Sequence, residues 1–221
     1  MAYHDKLRNE LNNVSVHFTI RQHLIAIGGS YLDEINVAPT FFTSTLDAHN
    51  LATLMGINRL IDTSDRHLSI YSLLDFVKEN TAIFTKKAFV KRLRLLGRYD
   101  EIALKDKTKV TAQVVESDIQ RVRNLPTSHM RRWRNEILAH VKSDSVLQRM
   151  KVSRTHPIVS QQVQKTIDTI DKILNFYLLN FRAETWATTT VVEGQIKYLL
   201  DAIRFYVQEH DRKYKQVLRE N

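Results

Sequence analysis

Cysteine is absent from the 221 residues. That excludes a disulfide framework, a Cys-x-x-Cys redox pair, a thiolate zinc ligand and a cysteine nucleophile, and it fits a cytosolic chain. Glycine (5) and proline (3) are scarce, well below average usage of about 7% and 5%. So few breakers leave few tight turns and room for long helices. A long apolar run is missing too. The longest uncharged stretch, INVAPTFFTSTL, is too short and too polar to cross a bilayer, so no membrane partner is expected. The opening residues MAYHDKLRNE are charged and lack the apolar core of a secretory signal, and a cytoplasmic location is expected. There is no P-loop, GxGxxG or GxSxG motif. His4, His17, His23, His49, His67, His129, His156 and His210 show no ligand-like spacing, so no metal site and no cofactor are expected.

What the chain does have is base. Lys and Arg number 33 against 24 Asp and Glu, a formal net charge of +9. A basic surface favours a polyanion such as RNA, DNA or an anionic membrane. The plainer reading is that the charge only keeps the chain in solution. Apolar residues at 43% and charged residues at 26% are ordinary for a globular domain.

Periodicity reads as helix almost throughout. Helices are expected over 3–28, ending at Gly28 and Gly29, over 30–38 before Pro39, and over 44–62 from a Ser44 or Thr45 cap with Leu46, Leu51, Leu54, Met55, Asn58 and Ile61 near one stripe. A turn and new cap at 63–69 precede a helix over 70–80, and a basic amphipathic helix follows over 85–97. Residues 98–110 read as polar and irregular, 111–124 as a helix broken at Pro126, and 127–141 as a helix from Thr127. A polar connection (143–154) leads to long helices over 157–182 and 189–218. No linker or repeat divides the chain. The expectation is one all-α domain over 1–221, an up-and-down bundle whose region 36–182 precedes a long C-terminal helix at 189–218.

The segment RRWRNEILAHVKSD, residues 131–144, is unusual. On a wheel of about 100° per residue with Trp133 at zero, Ile137, Met130, Val141 and Leu138 fall between about 40° and 140°. His140 near about −20° and Arg134 near about 100° lie on or inside that apolar arc. Arg131, Arg132, Asn135 and Glu136 lie outside it and read as solvated. An arginine on a buried face needs a counter-charge or a strong acceptor. Two readings follow. Arg134 pairs with a carboxylate such as Asp168 or Asp171 while His140 packs in the core, or both face a cleft or subunit interface that accepts a phosphate. They stand about 120° apart around the axis and about 9 Å along it, so two copies of the helix across a two-fold axis would gather them more readily than one.

RNEILAH (134–140) resembles the arginine-polar-x4–6-histidine signature of the HEPN superfamily, with Asn135 as the polar residue. Upstream, residues 36–77 are similar to the N-terminal half of the abortive-infection-type branch. There an apolar helix ends in an R-L-x-D element, here Arg59, Leu60 and Asp62. A polar turn and an S-(apolar)-x-x-L-L helix follow, here Ser69, Leu73 and Leu74. The branch often has an acid two positions after the histidine, where this chain has Lys142. The resemblance implies a bundle that homodimerises through the motif helix. It also implies a metal-independent endoribonuclease acting as a toxin or anti-phage effector, restrained by an antitoxin or regulatory protein. Catalysis would fall to Arg134, Asn135 and His140, with Arg131, Arg132 and Lys142 along the RNA backbone. The alternative is a non-catalytic helical module that binds nucleic acid or protein, since many relatives of that superfamily serve so.

Overall fold

In the computed structural model, residues 2–64, 67–98, 107–133, 159–187 and 192–220 are described, apart from the side chains of 192, 193, 214 and 216–220. Every regular element among them is helical: α1 (Ala2–Gly28), α2 (Leu32–Val37), α3 (Pro39–Leu60), α4 (Ile70–Glu79), α5 (Lys86–Leu95), α6 (Ala112–Arg123), α7 (Ser128–Trp133), α8 (Ser160–Arg182) and α9 (Val192–Glu220), with 3-10 turns at Gly29–Tyr31 and Thr81–Phe84. The fold is all-α. Residues 134–141 of the expected motif helix, the connection at 143–154 and 99–106 of the irregular stretch lie outside the described residues.

Hydroxyl side chains start α4, α5 and α6. Ser69 accepts the Ser72 backbone N–H while Ser72 Oγ accepts that of Ser69 at 2.8 Å, a reciprocal cap for α4. Thr85 and Thr111 accept from Ala88 and Val114 at the heads of α5 and α6. One boundary departs from expectation. α3 begins at Pro39 rather than at Ser44 or Thr45, because a proline at the first helical position has its φ already set and gives up no needed N–H. Leu51, expected on the inward stripe of α3, is exposed, whereas Leu54, Ile57, Asn58, Leu60 and Ile61 are buried.

The chain divides into two compact units, Met1–Val14 with Leu54–Thr188, and Ser15–Thr53 with Thr189–Asn221, so α1 and α3 each contribute to both. In the first unit α4 packs on α6, and α8 on α5 and α6. Its core takes Leu7 and Leu11 from α1, Ile57 and Leu60 from α3, Leu74 from α4, Phe89 and Leu93 from α5, Val115 from α6, and Ile170 and Leu174 from α8. Each such burial contributes about 1.5–3 kcal/mol. At Gly56 on α3 the chain comes close to α1: a Cβ there would run into the Val14 side chain. In the second unit α9 packs on α2. Ile196 and Leu200 of α9 close a small core with Leu24, Tyr31 and Phe42. Arg204 ties the same pair, donating to the buried Glu34 carboxylate at 2.6 Å and to Ser30 O at 2.7 Å. The Arg204 guanidinium holds the Glu34 carboxyl below its ordinary range.

Candidate functional site

α7 leads into the motif. Pro126 breaks α6 from α7, and the chain turns through a Thr127 N–H to Leu125 O bond of 2.8 Å. The buried Thr127 then gives its carbonyl to the Arg131 N–H at 2.9 Å, closing the first helical turn. Met130 points into the core at 0% exposure, Trp133 is half-buried, and Arg131 and Arg132 are exposed. Asn58, on the inward face of α3, donates its amide to Met130 O at 3.2 Å and to Leu54 O at 2.8 Å. A buried polar side chain thus fixes the approach to the motif, at a position that apolar periodicity treats only as part of a stripe. Arg134, Asn135, His140 and Lys142 lie outside the described residues.

The carboxylates considered as internal partners for Arg134 sit in polar surroundings. Asp168 is exposed and accepts from Gln164 at 2.7 Å, so it is not a core carboxylate. Asp171 is half-buried and accepts from Asn175 at 3.2 Å. The buried carboxylates among the described residues are Glu34 and Asp118. Asp118 on α6 takes a bond from the Tyr177 hydroxyl at 2.9 Å and one from Arg121 at 2.8 Å.

The upstream pattern works as scaffolding. Arg59 holds Glu10 of α1 through Nε at 2.8 Å and a second nitrogen at 2.5 Å. Leu60 is in the core, and Asp62 accepts the Ser64 backbone N–H at 3.0 Å, turning the chain after α3. Ser69 caps α4, and Leu73 and Leu74 lie on the buried face of that helix with Ile70 and Val77.

α5 carries the densest positive charge. Five of its ten residues, KKAFVKRLRL, are cations and none is acidic. Phe89 and Leu93 face the core, while Lys86, Lys87, Lys91 and Arg94 are exposed. Arg92 turns inward, stacks 3.9 Å over Phe181 and donates to Phe181 O at 3.0 Å. Lys107 lies 4.6 Å from the Phe89 ring centre and reaches Asn180 O at 3.3 Å. Two cations therefore sit on the carbonyl end of α8, where the helix dipole favours them. Burial, and then the Arg92 charge, lowers the Lys107 pKa. Lys86, Lys107 and Lys109 line a pocket of about 370 Å³ together with Phe84 and Val110. None of the ion pairs found among the described residues uses these three lysines.

Elsewhere, His17 and His49 meet through their Nδ1 atoms at 2.8 Å. Burial and then the His17 charge lower the His49 pKa. Among the described residues no group of three His, Asp or Glu is placed to hold a metal ion, and no helix is long and apolar enough to cross a membrane. A family model described as HEPN_AbiU2 (AbiU2) matches residues 3–202 of the chain. No curated protein and no solved structure matches it.

Proposed function

The chain belongs to the HEPN_AbiU2 family, and on that footing we propose that it is a metal-independent endoribonuclease, an abortive-infection effector or toxin of the cytoplasm held in check by a partner. The observation that carries this reading is the extent of the family match, which runs from residue 3 to residue 202 and so takes in RNEILAH at 134–140. RNA brings its own nucleophile. The ribose 2′-OH attacks the adjacent phosphorus, the P–O5′ bond breaks, and a 2′,3′-cyclic phosphate and a 5′-OH result. His140 from one protomer takes the 2′-OH proton, and His140 from a second delivers a proton to the departing 5′ oxygen; an imidazole titrating near neutrality suits both steps. Arg134 supplies a fixed guanidinium fork to the non-bridging oxygens as charge builds on phosphorus. Asn135 donates a hydrogen bond to the same phosphate. Arg131 and Arg132, both exposed, and Lys142 track the RNA backbone, and the cationic face of α5 extends that track.

Purified protein incubated with total RNA and defined oligonucleotides in EDTA tests the proposal. The wild type is expected to cleave and to leave cyclic-phosphate ends, and His140→Ala and Arg134→Ala are each expected to abolish this. A wild type that binds RNA but is as inert as both variants would favour the non-catalytic module instead.

A further inference from the structure

α9 has two apolar faces, and among the described residues only one is packed. Ile196, Leu200 and Ile203 turn inward to the core of the second unit. On the other side Tyr198 is 78% exposed, Leu199 50%, Phe205 67% and Tyr206 68%, and Ala202 between them is exposed as well. At about 100° per residue these five positions form a single stripe about 120° wide. Single exposed apolar residues are ordinary, but five successive positions of one stripe are not scattered. The stripe is closed at each end by a polar residue on the same line, Gln195 and Glu209, each seven positions from Ala202.

We propose that this outward stripe of α9 docks on the same stripe of a second copy of the chain, with the two helices antiparallel and crossing at Ala202. The pattern is symmetric about that residue. Large side chains stand three and four positions to either side, and the small one stands at the centre. An antiparallel pair sets each position beside its mirror image across residue 202. Tyr198 then meets Tyr206 of the second copy, and Leu199 meets Phe205 of the second copy. Alanine at the crossing lets the axes approach to within the usual 8–10 Å. The polar ends fit only this direction: the Gln195 amide lies by the Glu209 carboxylate of the second copy, whereas a parallel pair would set Glu209 against Glu209. The area suffices. Three aromatic side chains of about 150–250 Å² each, exposed to the extent given, leave about 300–550 Å² per copy. With Leu199 and Ala202 added, two copies expose about 1,000 Å² along the stripe, which if covered in full is the size at which a specific interface begins. A lipid surface is the poorer occupant, because a helix lying on a membrane carries a strongly basic opposite face and that side of α9 is packed on its own core. The stripe shares no residue with 131–142, and its docking is independent of nuclease activity.

The cysteine-free chain makes the test direct. Full-length Ala202→Cys is expected to form a covalent dimer under mild oxidation, while Lys172→Cys, exposed on α8, is expected not to. At tens of micromolar the wild type should sediment at twice the mass of Phe205→Glu with Tyr206→Glu, the double variant keeping its helix content and any dimer made through residues 131–142. Three results would each overturn the proposal: a monomeric wild type, which would point to a different partner for the stripe; a mass that is the same in wild type and double variant, which would place all assembly on another helix; or crosslinking of Ala202→Cys no greater than the control. Should the double variant fail to fold, the crosslinking result decides.

Discussion

Tyr177 and Asp118 show how a pair of buried polar groups ties two helices together. Tyr177, 2% exposed, donates to a carboxylate that Arg121 also holds. Burial, and next the Asp118 charge, push the phenol well above its ordinary value of 10.0. The folded pKa is raised, so the stabilisation is complete below the unfolded value and is lost as pH climbs past about 10, where only the unfolded chain gives up the proton. Urea midpoints measured from pH 8 to pH 11 are expected to fall for the wild type. Tyr177→Phe is expected to start lower, by about 1–3 kcal/mol for the unpaired Asp118 oxygen, and to fall less steeply. Little of this was readable from residue types. Tyr177 stands on the expected apolar face of α8, but a wheel cannot show that its hydroxyl finds an acid 59 positions away. Asn58 is the same case. Its place on a stripe was legible, and its bond to Met130 O, 72 positions on, was not, because that bond depends on tertiary packing.

At the scale of the helix, punctuation was the most legible feature. Ser69 and Thr111 stand where capping chemistry puts them. Ser69→Ala is expected to cost about 1 kcal/mol, read as a lower thermal midpoint, with Ser69→Asp recovering most of it. α3 was less readable, since Ser44 and Thr45 offer a cap that competes with the start at Pro39. On α5 the segment read correctly as a basic amphipathic helix, and Phe89 and Leu93 are its buried side. Composition could not show that Arg92 leaves the basic face to seal the end of α8 with Lys107. The chemistry expected of the motif was legible only through family resemblance, because an arginine and a histidine six apart occur in many helices.

For the whole molecule, the excess of base was plain in the composition and its concentration over 86–95 in the sequence, whereas which of those cations face solvent required the fold. If RNA lies along that face, its affinity falls as salt rises, and each cation removed reduces the log–log slope by about 0.7 for a single strand. Lys86→Ala with Lys91→Ala is thus expected to flatten the slope by about 1.4, measured by titrating labelled RNA at several salt concentrations. An unchanged slope would place the RNA elsewhere. The division into two units was not legible at all, because neither is a continuous stretch of chain. That division bears on the order in which a ribosome can build the protein. Leu24, Tyr31 and Phe42 emerge early, but the residues that cover them, Ile196 and Leu200, come more than 150 positions later. At about 5–20 residues per second the half-made second core waits about 8–30 seconds for its lid. During that interval its apolar surface is open to chaperones and to other nascent chains, whatever the stability of the finished fold.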